Sequence, residues 1–150
     1  MPAFSGTYYY TVDDKGRLII PAPLRELISS HYSSRLLITN ALFDKCLQLF
    51  PFEEWTKLEE KVRELPRTLE EVHYFKRRVI ASAQECAIDK QGRILIPAAL
   101  REDAGIKDDI VIAGLVEKIE LWDRSEWNAV IDPSRFDRRT VEERLASLGL

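Results

Sequence analysis

The chain has little of what metal centres and disulfide frameworks are made from: two cysteines and two histidines in 150 residues. Cys46 and Cys86 stand forty residues apart, with no C-x-x-C and no histidine at ligand spacing. That excludes a disulfide scaffold and a zinc site, and both cysteines are expected to be ordinary buried thiols. Long apolar runs are missing too. The longest, Ile110 to Val116 with Gly114 inside it, is far below the ~18 residues of a membrane helix, and no early stretch resembles a signal peptide. A cytoplasmic protein is expected, with no membrane partner, metal or cofactor. Net positive charge is the last absence. A formal charge of −3 speaks mildly against a nucleic-acid partner, but a polyanion meets the field of one face rather than the average of the whole chain.

What is present begins with an ordinary globular composition, 45% apolar and 31% charged. The length fits one compact domain, or two small ones sharing a core. Within it one sentence is written twice. Asp13 to Glu26 reads DDKGRLIIPAPLRE, and Asp89 to Glu102 reads DKQGRILIPAALRE. At an offset of 76, nine of the sixteen positions from Thr11 to Glu26 are identical to Ala87 to Glu102. Similarity resumes at an offset of 72, where Leu47-Gln-Leu-Phe50 matches Ile119-Glu-Leu-Trp122 and Glu54-Trp55 matches Glu126-Trp127. The first copy therefore carries four extra residues, and the chain is a duplication.

Each copy predicts the same elements. A strand ends at Asp13 or Asp89, a turn holds Gly16 or Gly92, and a second strand runs Arg17–Ile20 or Arg93–Ile96. The glycines suit a turn position with positive φ. Pro21 and Pro97 close the strands and open short helices. Further strands are expected at Arg35–Thr39, Cys46–Phe50, Ile110–Ala113 and Lys118–Trp122, from their β-branched and leucine content. Apolar residues three or four apart predict a helix over Phe52–Glu64, broken by Pro66. Thr68-Leu-Glu-Glu71 has the form of a capping box opening a helix to about Ala83. Asp123 reads as the N-cap of a helix over Ser125–Ile131, and Thr140-Val-Glu-Glu143 as the cap of a last helix ending at Gly149. We divide the chain into a first repeat over 1–55, connecting helices over 56–83, a second repeat over 84–131 and a C-terminal tail over 132–150, all within one structural unit.

A strand pair of this size cannot bury a core alone, so Leu18, Ile20, Leu24 and their equivalents are expected to interlock about a pseudo-two-fold axis. Core packing does not explain Lys15, Arg17, Arg25, Lys90, Arg93 and Arg101. An arginine presents a planar fork of donors that matches phosphate oxygens or the O6/N7 edge of guanine, and a two-stranded ribbon fits a major groove. Local charge agrees. Residues 11–25 hold two acids and three bases, residues 87–101 one acid and three bases. Lys76-Arg77-Arg78 is either a further basic patch or a solvated helix face. Asp13 and Asp89 would repel phosphate, so their expected work is to accept turn N–H groups and orient Arg17 and Arg93. These six basic residues form the candidate double-stranded DNA surface, with Asp13, Asp89, Gly16 and Gly92 shaping it.

The two turns, Asp13-Asp-Lys-Gly-Arg17 and Asp89-Lys-Gln-Gly-Arg93, resemble the paired D-x-x-x-R motifs of the MraZ family. That family consists of bacterial regulators built from two AbrB/SpoVT-type half-modules in one chain. Leu100-Arg-Glu-Asp-Ala-Gly105, Ile119-Glu-Leu-Trp122 and Ser82-Ala-Gln-Glu85 extend the likeness. The resemblance implies an α+β fold: a double-split β-barrel of swapped-hairpin type with flanking helices. It also implies ring-like homo-oligomers, nucleoid association and binding to repeated promoter boxes ahead of the division and cell-wall genes, with repression of the family member's own operon. The family motif falls on Asp13/Arg17 and Asp89/Arg93.

Two other classes compete. An enzyme would need Asp13 and Asp89 as an acid–base pair, helped by His31 or His73. Neither histidine has a counterpart in the other copy, and no phosphate loop, metal motif or nucleophile elbow is present, so no catalytic residue is expected. An oligomeric scaffold or antitoxin-like interaction module on the same fold is the nearer rival, since fold does not fix function.

Overall fold

A computed structural model describes residues 2–150. Its regular elements follow the repeat. The first copy contributes β1 (Thr7–Thr11), β2 (Arg17–Ile19), α1 (Ala22–His31), β3 (Arg35–Asn40), β4 (Leu47–Pro51) and α2 (Phe52–Arg63). A connecting helix, α3 (Glu70–Phe75), runs straight into a π-helical segment, Lys76–Ile80. The second copy supplies β5 (Gln84–Ala87), β6 (Arg93–Leu95), α4 (Ala98–Asp103), β7 (Asp109–Leu115), β8 (Lys118–Asp123) and α5 (Arg124–Val130). A 3₁₀ turn at Pro133–Arg135 leads to α6 (Arg138–Ser147).

The fold is mixed α+β, an antiparallel sheet with flanking helices. Six strands lie in the order β1-β7-β8-β4-β3-β5, and β2 and β6 form a separate two-stranded ribbon. Under the repeat, β1 corresponds to β5, β7 to β3 and β8 to β4, so the strand order is a palindrome. The copies trade their outer strands: β1 pairs with β7, and β5 pairs with β3. Equivalent residues face each other at two places, Leu18 opposite Ile94 in the ribbon and Gln48 opposite Glu120 in the sheet. The pseudo-two-fold axis runs through both pairs.

Period-two alternation explains the ribbon. Leu18 and Ile94 are 0% and 1% exposed and point inward, as do Ile20 and Ile96. With Leu24 and Leu100 of the short helices they enter one cluster together with Leu36, Ile38, Ile110 and Ile112 from the sheet. Neither copy owns this core. Trp122 and Trp127 pack with Cys46 and Val111 in a second cluster, and Phe50, Trp55 and Val79 centre a third beneath α2 and the π segment. Cys46 is buried and Cys86 half-buried, both free. Burial raises both thiols, Cys86 to about 12.

Helix starts depart from the sequence pattern at two places. Thr68 caps nothing: α3 begins at Glu70, with Leu69 at its N-cap and no side-chain bond there. Its far end winds wider, and the Ala81 N–H reaches the Lys76 carbonyl. Ser82 Oγ and Thr39 Oγ1 both engage the Val79 carbonyl, so side chains occupy the acceptors that this wider turn exposes. The last helix starts at Arg138, capped by Asp137, whose carboxylate accepts from the Thr140 N–H at 3.2 Å. Asp123 caps α5 as its sequence suggests, accepting from Ser125 N and Oγ.

Candidate nucleic-acid interface

Each repeat folds its Asp-to-Arg stretch into the same tight turn. Asp13 Oδ1 accepts from the Lys15 and Arg17 N–H groups at 3.0 and 2.8 Å, and Oδ2 accepts from Arg17 Nε at 2.6 Å. The second turn repeats this arrangement. Asp89 Oδ1 accepts from Gln91 and Arg93 N–H at 2.9 Å each, and Oδ2 from Arg93 Nε at 3.0 Å. The backbone closes the loop alongside, with Asp13 N–H donating to the Arg17 carbonyl and Gly16 N–H to the Asp13 carbonyl. One carboxylate thus satisfies the turn and fixes a guanidinium. Both carboxyls are held below the ordinary value, first by the backbone N–H of the following arginine and further by its side chain. The guanidiniums bond to the chain through Nε. Among the described residues, no hydrogen bond is made by their outer nitrogens.

The two turns are also held by each other's repeat. Ile20 N–H donates to the Gly92 carbonyl at 2.9 Å, and Ile96 N–H to the Gly16 carbonyl at 2.8 Å. Gly16 and Gly92 have φ of 89° and 80°, which L side chains rarely adopt. They are needed for space as well. A Cβ on Gly16 would lie 2.8 Å from the Arg101 guanidinium carbon, and one on Gly92 2.8 Å from that of Arg25. The helix arginine of each copy therefore lies across the turn of the other. Arg101 Nε donates to the Ile96 carbonyl at 3.3 Å. Arg25 Nε is buried without a partner among the described residues.

The structure therefore sorts the six basic residues into three settings. Arg17 and Arg93 stand on the outward face of the ribbon, with side chains 36% and 27% exposed. Lys15 and Lys90 are exposed on the turns, but at different turn positions: Lys15 aligns with Gln91, and Lys90 with Asp14. Arg25 and Arg101 are half-buried and lean on glycine. Lys76-Arg77-Arg78 lies in the π segment, where Arg77 is exposed and Lys76 and Arg78 are half-buried.

Two residues of this face escaped the sequence reading. Arg17 stands opposite Leu95, and Arg93 opposite Ile19. Ile19 and Leu95 are 49% and 56% exposed. The signal was there, because strict alternation with buried Leu18 and Ile20 turns Ile19 outward. Beside Ile19 opens a groove of about 550 Å³, also lined by Tyr9, Tyr10 and Arg124. Its counterpart in the other half is occupied: Arg35 pairs with Glu85 at 2.7 Å and lies 3.9 Å over the Phe52 ring. No group of histidines, cysteines and carboxylates among the described residues could hold a metal ion. No helix among them is long and apolar enough to cross a membrane.

These features define a class: a duplicated, strand-exchanged α+β protein whose two repeats jointly present one ribbon with two carboxylate-braced arginines. The chain belongs to the MraZ family, whose model, described as "MraZ protein, putative antitoxin-like", matches it twice, over residues 3–78 and 79–148. Relatives named "Transcriptional regulator MraZ" run the length of the chain. The one from Syntrophobacter fumaroxidans is 41% identical over 149 residues, covering 99% of this chain and 98% of its own. That from Moorella thermoacetica is 43% identical over 147 residues, covering 98% and 99%. Acetivibrio thermocellus has another, 41% identical over 147 residues with the same coverage.

Proposed function

We propose that the chain is a sequence-specific, double-stranded-DNA-binding transcriptional regulator that reads promoter DNA with the β2–β6 ribbon and its two flanking turns. The observation that carries this reading is the pair of guanidiniums, each locked by its own carboxylate through Nε and each left with its outer nitrogens for a ligand. Ordering an arginine before binding lowers the entropy lost on contact, and its fork fits guanine O6/N7 or a phosphate. A scaffold would keep the strand exchange but would have no use for two braced arginines on one exposed ribbon. The name borne by the relatives points the same way.

In this reading Arg17 and Arg93 contact base edges, and Lys15 and Lys90 contact phosphates. Arg25 and Arg101 hold the opposite turn in place and act on DNA through it. Asp13, Asp89, Gly16 and Gly92 set the geometry. We further propose that the palindromic sheet and the ribbon together make the double-split, swapped-hairpin barrel that the family resemblance implies. Several copies assemble into a ring, so that modest contacts to repeated boxes add up as avidity. The protein then acts in the cytoplasm, associated with the nucleoid, as a repressor of its own division and cell-wall operon.

The test is equilibrium binding to the DNA just upstream of the chain's own gene, against a scrambled duplex, at two salt concentrations. Tight, sequence-dependent binding that weakens with salt is expected. Arg17→Ala/Arg93→Ala should abolish the preference, since each bidentate guanine contact is worth about 1–3 kcal/mol of discrimination. Unchanged affinity in that double variant would overturn the site. Absence of any salt-sensitive binding by the parent would leave the scaffold.

A further inference from the structure

The outward face of the ribbon is not purely basic. Two of its four side chains are aliphatic, and they stand diagonally: Leu95 opposite Arg17, Ile19 opposite Arg93. A single exposed aliphatic residue needs no explanation. Here two are exposed together, at 49% and 56%, across one diagonal of a three-residue ribbon whose other face is fully buried. A ribbon with one side in water commonly alternates apolar-in with polar-out, and these two positions depart from that pattern. Packing by a second copy of this same face is disfavoured, because it would gather four guanidiniums, Arg17 and Arg93 from each copy, into one small contact of like charge. A surface that alternates guanidinium and aliphatic groups matches something else. The major groove of DNA offers both the guanine O6/N7 acceptors and the C5-methyl of thymine, the one apolar group on its base edges.

We propose that Ile19 and Leu95 are specificity-determining residues that read thymine methyl groups beside the guanines read by Arg93 and Arg17. This inference rests on the DNA-reading function proposed above and adds a rule to it. Residues directly opposite in an antiparallel pair have Cβ atoms about 4.5–5.5 Å apart. Successive bases on a strand are about 3.4 Å apart. Each aliphatic side chain therefore falls within one or two base steps of its arginine's guanine. The pseudo-two-fold axis at Leu18/Ile94 relates the two arginine–aliphatic pairs. The preferred site then holds two such guanine–thymine groups in an approximate inverted repeat. Its halves are unequal, because isoleucine serves one and leucine the other.

The experiment starts from the tightest-binding duplex selected from a random library with the full chain. Each thymine in it is then replaced singly by deoxyuridine, which removes one methyl and changes no hydrogen bond. Loss of binding of about fourfold is expected at one thymine in each half, from ~0.8 kcal/mol per buried carbon. In Ile19→Ala the loss should vanish at one of these thymines, and in Leu95→Ala at the other. Both side chains are exposed, so the fold is unaffected, and the uridine series on the parent protein needs no variant at all. Uridine tolerated at every position would overturn the inference while leaving Arg-dependent DNA reading intact. So would losses that persist unchanged in both variants. If no duplex is enriched, or if Arg17→Ala/Arg93→Ala binds as the parent does, the DNA-reading function fails and this inference falls with it.

Discussion

A carboxylate four residues ahead of an arginine does two things in this protein. It replaces the water that would otherwise satisfy the turn N–H groups, and it removes rotamer freedom from the guanidinium before any ligand arrives. Asp13→Asn/Asp89→Asn keeps an acceptor for the turn but loses the anion facing Nε. DNA affinity should fall about tenfold with little change in the melting curve, because two freed arginines must each be ordered again on binding. A large loss of stability with intact affinity for the folded fraction would assign the aspartates to folding alone. The pH dependence follows in sign. A carboxyl whose pKa is lowered in the folded state gives its stabilisation in full at pH well above the ordinary value of about 3.9. Its stabilisation is lost only as pH falls through the lowered value. The brace is therefore intact from pH 8 down to 5. A carboxyl-carbon NMR titration should give Asp13 and Asp89 midpoints below 3.9, and midpoints above it would mean the brace does not form.

At the scale of elements, the two turns and the two short helices are one device. Gly92 packs under Arg25 and Gly16 under Arg101, so the turn of one repeat is shaped by the helix of the other. Gly92→Ala should destabilise the chain by about 1–3 kcal/mol, the positive φ alone accounting for ~1–2 of it. The contact can be isolated in a double-mutant cycle. Part of the Gly92→Ala loss should be recovered in an Arg25→Ala background, and the loss should be additive with Arg101→Ala, because only contacting residues couple. Equal coupling to both arginines would refute the crossed arrangement. Much at this scale was readable in the sequence. The repeated GRLIIP and GRILIP stretches contain the glycine that needs positive φ, the alternation that buries Leu18 and Ile20, and the proline that ends the strand. What could not be read was the partner. No local pattern says that β1 bonds to β7 rather than to β2, because hydrogen bonding between strands leaves no trace in either strand's own residues. The helix starts expected at Thr68 and Thr140 fall instead at Glu70 and Arg138, for a related reason. Thr68 and Thr140 have capping side chains, but the chain path made Leu69 and Asp137 the first half-helical residues.

At the scale of the whole molecule, the palindromic strand order makes each half structurally incomplete. A fragment spanning residues 1–83 holds β2 without β6 and β4 without β8. Both missing partners are equivalents of strands that the fragment already has. Two such fragments can pair through their own β2 and β4, turning the pseudo-axis into a true one. The fragment should run as a dimer in sedimentation, with β-sheet content by circular dichroism; a folded monomer would disprove the exchange. The exchange also sets an order of events during synthesis. Tyr10 pairs with Ile110, one hundred residues further along. At roughly 5–20 residues per second, β1 leaves the ribosome about 5–20 s before its partner exists, and through that interval its edge is bare. A nascent chain stalled in that window is therefore the state of this protein most exposed to mispairing with a neighbour on the same messenger, and the one in which a ribosome-bound chaperone has the most to cover.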